Sequence, residues 1–174
     1  MSNKERQFEN LVRSYYRPLF QYAFWMSKSN SVAEDIVQET FARAWKSIDQ
    51  LKDIKAVKSW LYTILTRENA RRFERKQLPV INLSESWQLE QVASPNDDYE
   101  VLDIRRAIMA LPETYREPLA LQVIGGLSTE EIANVLSIKS NTVSTRLFRA
   151  RSVLKSQLSG NFGSTIAKGG RKDG

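Results

Sequence analysis

Cysteine and histidine are both absent from this chain of 174 residues. Disulfide bonds, thiolate nucleophiles, imidazole bases and zinc sites of the usual kind are therefore excluded. Because the side chains of most familiar catalytic sites are missing, we expect a protein that is not itself an enzyme and that uses neither a metal nor a cofactor.

Long hydrophobic runs are absent as well. No window approaches about 18 consecutive apolar residues, roughly the length that a membrane-spanning helix needs. The segment Met1 to Gln7 is polar and charged, unlike a signal peptide. The sequence therefore predicts a cytoplasmic protein without direct membrane insertion.

Glycine and proline are scarce, at 7 and 5 residues, and the composition favours helix. Charge is distributed in blocks. Residues 1–78 carry 15 basic against 9 acidic side chains, residues 79–104 carry none against 6, and residues 105–174 carry 11 against 5. Two basic blocks on either side of an acidic one favour a polyanionic partner such as a nucleic acid.

Apolar residues at steps of three or four predict three helices in the first half of the chain. The first spans about 5–27 and is expected to kink or break at Pro18. The second begins with Ser31 as its N-cap and runs to about residue 47. The third spans about 56–76 after a short polar loop.

An aperiodic acidic stretch at 79–98 predicts a flexible linker, because a structureless connection of about 20 residues is unusual inside one compact domain. We therefore expect an all-α protein with two small helical domains, at 1–78 and 99–158. The glycine-containing basic tail from 159 to 174 is expected to be disordered.

The second half contains a helix-turn-helix pattern. Four helices are predicted there, at 99–110, 112–124, 128–136 and 140–158. The last two enclose a tight turn at Ser137, where many such motifs have glycine. The second helix of such a motif lies in the DNA major groove, and its outward residues here can contact bases and phosphates. These residues are Ser140, Asn141, Thr142, Ser144, Thr145, Arg146 and Arg149. A plain helical hairpin with a solvated basic face is the alternative.

Several motifs resemble those of extracytoplasmic-function (ECF) sigma factors of the sigma-70 family. Three segments of the second half resemble the C-terminal domain of that family: ALPETYREPL at 110–119, GLSTEEIA at 126–133 and NTVSTRLFRAR at 141–151. In the first half, AEDIVQETFARAW at 33–45 resembles the polymerase-binding helix of the family, and SWLYTI at 59–64 resembles the start of its minus-10 region. The resemblance implies an alternative sigma factor that directs promoter-specific transcription initiation.

The resemblance also implies roles for individual residues. Those expected to bind the beta-prime clamp helices of core RNA polymerase are Asp35, Gln38, Glu39 and Arg43. Those expected to bind and open the minus-10 element are Lys58, Tyr62, Arg67, Asn69, Arg71, Arg72 and Arg75. The helix-turn-helix residues are expected to read the minus-35 element, and Trp60 is expected to lie in the core.

The partners implied by the resemblance are core RNA polymerase, through its beta-prime clamp helices and beta flap, promoter DNA, and an anti-sigma factor that is often membrane-anchored in this family. Two other classes are open on the residues alone. One is a DNA-binding regulator that acts without becoming a polymerase subunit, which leaves 33–45 unexplained. The other is a metal-dependent enzyme that uses Glu34, Asp35 and Glu39.

Overall fold

The computed structural model describes residues 2–76 and 99–168, with side chains described over 2–75 and 103–160. Seven α-helices and two short 3-10 turns, but no strand, are found in this part of the chain, which confirms the all-α class. The helices are α1 (Asn3–Ser27), α2 (Asn30–Ser47), α3 (Val57–Lys76), α4 (Tyr99–Ala110), α5 (Glu113–Val123), α6 (Thr129–Leu136) and α7 (Ser140–Lys168). The predicted linker at 79–98 and the end of the predicted tail at 169–174 lie outside the described residues.

Helix α1 continues through Pro18, so the predicted break does not occur. A proline in a helix removes one backbone hydrogen bond. The two residues that follow on the inward face, Leu19 and Tyr22, are fully buried, and burial of large side chains offsets that loss. A capping box begins the helix, since Ser2 and Glu5 accept each other's backbone N–H at 3.2 and 2.6 Å.

The connection between α1 and α2 corrects the predicted N-cap. Lys28 ends α1 in the left-handed conformation, with φ of 60°. Ser29 then caps α2 and accepts the N–H of Val32 at 3.4 Å. Because the turn is only two residues long, Ser31 already lies in the first turn of α2 and cannot be its N-cap.

The first three helices form the N-terminal unit. Aromatic packing fastens the start of α1 to the end of α2, where the ring of Phe8 lies 5.0 Å from that of Trp45 and 6.2 Å from that of Phe41. Two 3-10 turns, Ile48–Gln50 and Ile54–Ala56, lead into α3. Trp60 is partly buried and packs against the core, as expected.

The remaining four helices form the C-terminal unit. Helix α5 begins at Glu113, one residue later than predicted, and Pro112 is its N-cap rather than its first helical residue. Arg116 is buried and donates to the carbonyl oxygens of Met109 at 2.8 Å and Leu111 at 3.2 Å, which fixes the turn between α4 and α5. Helix α5 ends at Val123, close to the predicted end at residue 124, and is followed by the glycine pair Gly125 and Gly126, of which Gly126 has a φ of 62°.

Helix α7 is longer than predicted. It extends to Lys168, whereas the sequence pattern indicated an end near Leu158 and disorder from Ser159. The glycines Gly160 and Gly163 weakened the helix prediction, but a glycine inside a helix costs only about 1 kcal/mol relative to alanine, and no proline interrupts the segment. The helix therefore passes through both positions.

Candidate nucleic-acid and protein interfaces

Helices α6 and α7 form the predicted helix-turn-helix. Ser128 and Glu131 make a capping box at the start of α6, in which each side chain accepts the other's backbone N–H. These contacts, the backbone hydrogen bond to Ser128 above all, lower the pKa of Glu131. Ser137 takes the left-handed conformation at the turn, with φ of 55°. Burial of Ile132 and Val143 holds the two helices together and leaves the outer face of α7 uncovered.

The outer face of α7 brings most of the predicted minus-35 residues together. Five of them line one open groove of about 370 Å³, together with Thr114 and Tyr115 of α5: Asn141, Thr142, Thr145, Arg146 and Arg149. Ser144 is also exposed on α7, and Ser140 is half-buried at its first position. The groove therefore combines amide, hydroxyl and guanidinium groups, the types that contact base edges and phosphates.

Sequence reasoning missed three residues of this surface. Thr114 and Tyr115 come from the first turn of α5, far from α7 in sequence, and only the packing of α5 against α7 brings them to the groove. Phe148 is 70% exposed on α7. A signal for Phe148 was present, because it falls between the buried positions Leu147 and Ala150 and outside the inward stripe.

The predicted polymerase-binding residues lie on the outward side of α2. Asp35, Gln38 and Glu39 are exposed, and Arg43 is half-buried. Arg43 Nε lies 3.0 Å from Glu39 Oε1 and 2.6 Å from Oε1 of Glu68 on α3, in close ion pairs without an aligned hydrogen bond from Nε. The surface is thus mixed in charge, and part of it is engaged with α3.

Apart from Lys58, the predicted minus-10 residues on α3 fall into two groups. Arg67, Arg71 and Arg75 are exposed and Arg72 is partly so. By contrast, Tyr62 is 1% exposed and Asn69 is 8% exposed. The first group lies at the surface of the structure, with Arg71 and Arg72 in ion pairs, and the second group is buried. Phe73 is 55% exposed near the end of α3.

The C-terminal unit covers the start of α3. Lys58 donates from Nζ to the carbonyl oxygen of Gly126 at 3.0 Å, and Ser59 donates to Glu131 at 3.3 Å. A Cβ atom on Gly125 would lie 3.1 Å from the Tyr62 ring, so glycine permits the close approach. Burial raises the pKa of Tyr62, whose hydroxyl has no hydrogen-bond partner. This contact hides part of the predicted minus-10 surface.

A second contact joins α1 to α5. The Tyr22 hydroxyl donates to Glu117 Oε1 at 3.0 Å, and the Tyr22 ring packs edge-on against Tyr62 at 5.8 Å. Burial raises the pKa of Glu117, although its hydrogen bond with Tyr22 and the positive charges of Arg146 and Arg116 oppose the shift. Burial also raises the pKa of Tyr22. The two units thus share one continuous core with polar contacts at its edge.

Two of the three carboxylates considered for a metal site form ion pairs with arginines. Asp35 pairs with Arg72 and Glu39 pairs with Arg43. Over the described residues, no group of three or more His, Cys, Asp or Glu side chains is placed to hold a metal ion. Among the described helices, none is both long and apolar enough to span a membrane.

Comparison with protein families identifies both units. A model described as sigma-70 region 2 matches residues 11–78, and one described as sigma-70, region 4 matches residues 102–154. The RNA polymerase sigma factor SigV of Bacillus subtilis is 34% identical over 147 residues, which cover 84% of this chain and 85% of the relative. The ECF RNA polymerase sigma factor SigW of the same organism is 31% identical over 165 residues, covering 87% and 88%.

Solved structures share the fold. A complex of the sigma factor RpoE with the anti-sigma factor NepR from Bartonella quintana matches with a TM-score of 0.73 at 23% identity, over 88% of this chain and 98% of that one. CnrH in complex with the cytosolic domain of CnrY matches with a TM-score of 0.66 at 24% identity, over 90% of each chain.

These matches define a class of DNA-binding transcription initiation factors rather than catalysts. The chain belongs to the extracytoplasmic-function subfamily of the sigma-70 family and directs promoter-specific transcription initiation. The region 2 match falls on α1 to α3 and the region 4 match on α4 to α7, and the two units are called region 2 and region 4 below.

Proposed function

We propose that this sigma factor docks on core RNA polymerase through the outer face of α2, holds the minus-10 strand on α3 and reads the minus-35 element with α7. The observation that carries the proposal is the open groove beside α7, where five residues predicted from the sequence lie next to Thr114 and Tyr115. An arrangement of this kind suits insertion of α7 into a major groove.

At the minus-35 element, side chains of α7 differ in what they can read. Asn141 can pair with an adenine, and Arg149 can pair with a guanine or a phosphate. Phe148 is exposed and can pack against the methyl group of a thymine. Thr114 and Tyr115 border the groove and are suited to contact the DNA backbone, which orients the helix without specifying sequence.

Docking on polymerase uses charge complementarity. Asp35, Gln38 and Glu39 offer acceptors and an amide on one exposed face, suited to basic side chains of the beta-prime clamp helices. Arg43 adds a donor at the edge of this face. Region 4 contacts the beta flap, as the family resemblance implies, so that both DNA-reading helices are held on one enzyme.

At the minus-10 element, the exposed arginines of α3 hold the backbone of the non-template strand, and the exposed ring of Phe73 offers a surface on which a base can stack. Lys58 and Tyr62 can take part only after region 4 has left α3, because its residues Gly125 and Gly126 cover them. A role for these two residues in promoter opening therefore requires the two regions to separate.

We further propose regulation by an anti-sigma factor. Both solved structures above are complexes of a sigma factor with an anti-sigma factor. The family resemblance implies that such a partner is often membrane-anchored, whereas the sigma factor itself acts in the cytoplasm, where polymerase and the promoter are located.

The decisive test of the function is transcription in vitro from fragmented bacterial genomic DNA, with purified core polymerase and with or without this protein. We expect new, defined start sites that require the protein, with two shared sequence elements upstream of them. The charge reversal Asp35→Arg should lower affinity for core polymerase without unfolding the chain. No new starts and no binding to core would reject the proposal.

Separation of the regions can be measured directly, because the chain has no cysteine of its own. Cysteines introduced at the exposed positions Lys46 in region 2 and Gln157 in region 4 can carry a fluorescent donor and acceptor. We expect the distance between the dyes to increase when core polymerase is added. An unchanged distance in the transcribing complex would show that α3 stays covered and that Lys58 and Tyr62 do not bind DNA.

A further inference from the structure

The two surfaces of region 2 that are proposed to bind different partners share an ion pair. Arg72 Nη2 on α3 donates to Asp35 Oδ2 on α2 at 3.0 Å. Asp35 belongs to the proposed polymerase face and Arg72 to the proposed minus-10 face. Each of these side chains is therefore already occupied by the other before either external partner arrives.

A second group of charges crosses the same two helices but differs in burial. Glu68 Oε1 on α3 lies 2.6 Å from Arg43 Nε on α2 and 3.2 Å from Arg71 Nη1 on its own helix. The Glu68 side chain is only 9% exposed, whereas those of Asp35 and Arg72 are 53% and 36% exposed. A nearly buried carboxylate cannot give up its partners without a large desolvation penalty.

The difference in burial separates a fixed contact from an exchangeable one. Glu68 holds α2 and α3 in register through Arg43, and this keeps Asp35 within reach of Arg72. An exposed ion pair is weak in water, because its attraction is screened and holding two flexible side chains in one geometry costs entropy. Asp35 and Arg72 can therefore exchange each other for a stronger external charge.

We propose that the Asp35–Arg72 ion pair couples polymerase docking to minus-10 binding, with Glu68 as the positioning residue that maintains it; this inference rests on the proposed function. When a basic side chain of polymerase pairs with Asp35, Arg72 is released and can bind a DNA phosphate. When a DNA phosphate pairs with Arg72, Asp35 is released and can bind polymerase. Such coupling is reciprocal, since each partner raises the affinity for the other by the same factor.

The expected size follows from the strength of exposed ion pairs. Release of one such pair corresponds to an affinity change of roughly 1.5- to 5-fold. The effect should decline as the salt concentration rises, because screening weakens the internal pair. Measurements are therefore best made near 0.1 M salt and repeated at higher salt.

The first experiment measures the affinity of the full chain for core polymerase without DNA. We expect Arg72→Gln to bind core roughly 1.5- to 5-fold more tightly than the unchanged chain, because Asp35 is no longer paired. The matched control is Arg13→Gln, which removes the same charge and breaks an exposed ion pair with Glu9 at 2.6 Å within α1. The control should leave core affinity unchanged.

The second experiment measures binding of the free chain to a single-stranded oligodeoxythymidine, which reports backbone contacts. We expect Asp35→Asn to raise this affinity more than Glu9→Gln does, because only the former releases Arg72. In the double variant with Asp35→Asn and Arg72→Gln, this increase in affinity for the oligodeoxythymidine should be lost. Equal gains for Asp35→Asn and Glu9→Gln would attribute the effect to net charge and overturn the coupling.

The outcomes separate this inference from the proposed function. If Asp35→Arg does not lower core affinity, the docking face itself is wrong. If Asp35→Arg lowers core affinity while Arg72→Gln behaves like Arg13→Gln, docking stands and the coupling alone is rejected. A third variant, Glu68→Gln, should reduce the gain seen with Asp35→Asn, because the two helices lose their fixed contact; a full gain in the Glu68→Gln background would remove Glu68 from the mechanism.

Discussion

The two surfaces of this sigma factor that are proposed to bind promoter DNA differ in how much of each is available. On α7, five predicted minus-35 residues border an open groove. On α3, Tyr62 and Asn69 are buried, Lys58 is bonded to region 4, and Arg72 is paired with Asp35. The proposed minus-35 surface is thus open, whereas much of the proposed minus-10 surface is engaged in contacts within the protein.

The difference has a physical origin in the kinds of side chain that each surface uses. A duplex is read from its grooves by polar side chains that remain hydrated until they bind. A single strand is held through cationic contacts to its backbone and aromatic contacts to its bases, and an aromatic side chain packs against apolar neighbours when no base is present. Burial of Tyr62 beside Gly125 is one instance of this behaviour.

The largest expected effect tests whether Tyr62 is a packed residue in the free protein. Tyr62→Ala should lower the free energy of unfolding by about 3–5 kcal/mol, because it removes a fully buried ring. Tyr62→Phe should be neutral or stabilising, since the buried hydroxyl has no partner. Chemical denaturation compares the two variants. A cost below about 1 kcal/mol for Tyr62→Ala would contradict the packing of region 4 on α3.

The next effect concerns the contact between α1 and α5. Tyr22→Phe should lower the free energy of unfolding by about 1.5–3 kcal/mol, because the partly buried Glu117 carboxyl is left without this hydrogen bond. Tyr62→Phe serves as the matched control, as it also removes one tyrosine hydroxyl. Equal stabilities for the two phenylalanine variants would show that the bond between Tyr22 and Glu117 contributes little.

A loss of similar size is expected in the affinity for DNA when a residue of the open groove beside α7 is replaced. Arg149→Ala should weaken binding to a promoter fragment with the minus-35 element by about 1–3 kcal/mol, with no effect on folding. A phosphate contact would weaken binding to every sequence and reduce the salt dependence, whereas a base contact would relax preference at one position. Arg146→Ala tests the neighbouring position. Unchanged promoter selection in both variants would reject this placement of α7.

The smallest effect is a dependence on pH at Glu117. Since its folded pKa is raised above 4.5 by burial, the site favours the protonated carboxyl. Its contribution to stability is therefore full below the unfolded pKa and declines as the pH rises through the folded pKa. The free energy of unfolding, measured from pH 4 to 8, should fall relative to that of Glu117→Gln. Parallel curves for the two proteins would contradict the burial of this carboxyl.

Local patterns in the sequence predicted most helices because each depends on nearby residues. The glycine pair at 125–126 ended α5, and the capping box of Ser128 began α6. The predicted helix boundaries were wrong where contacts beyond the local sequence decided them. Packing of Leu19 and Tyr22 carried α1 through Pro18, and the short turn at Lys28 moved the N-cap of α2 to Ser29.

Some residues of the candidate site could be predicted from the sequence and others could not, again because some positions depend on local pattern and others on tertiary packing. Residues of α7 could be assigned outward positions because helical periodicity separates them from buried neighbours such as Val143 and Leu147. Thr114 and Tyr115 could not be found in this way, since they reach the groove only through packing of α5 on α7. The assignments of individual residues to polymerase and promoter stay predictions.

By itself, the sequence determined the all-α class, the helix-turn-helix and the family, because helical periodicity, capping residues and motif spacing are properties of short segments. Only the tertiary structure decided which predicted residues are available. Tyr62 is covered by region 4, and Arg72 is paired with Asp35. Such contacts join residues that are distant in the chain, and they form only when apolar faces that neither helix can bury alone are packed together.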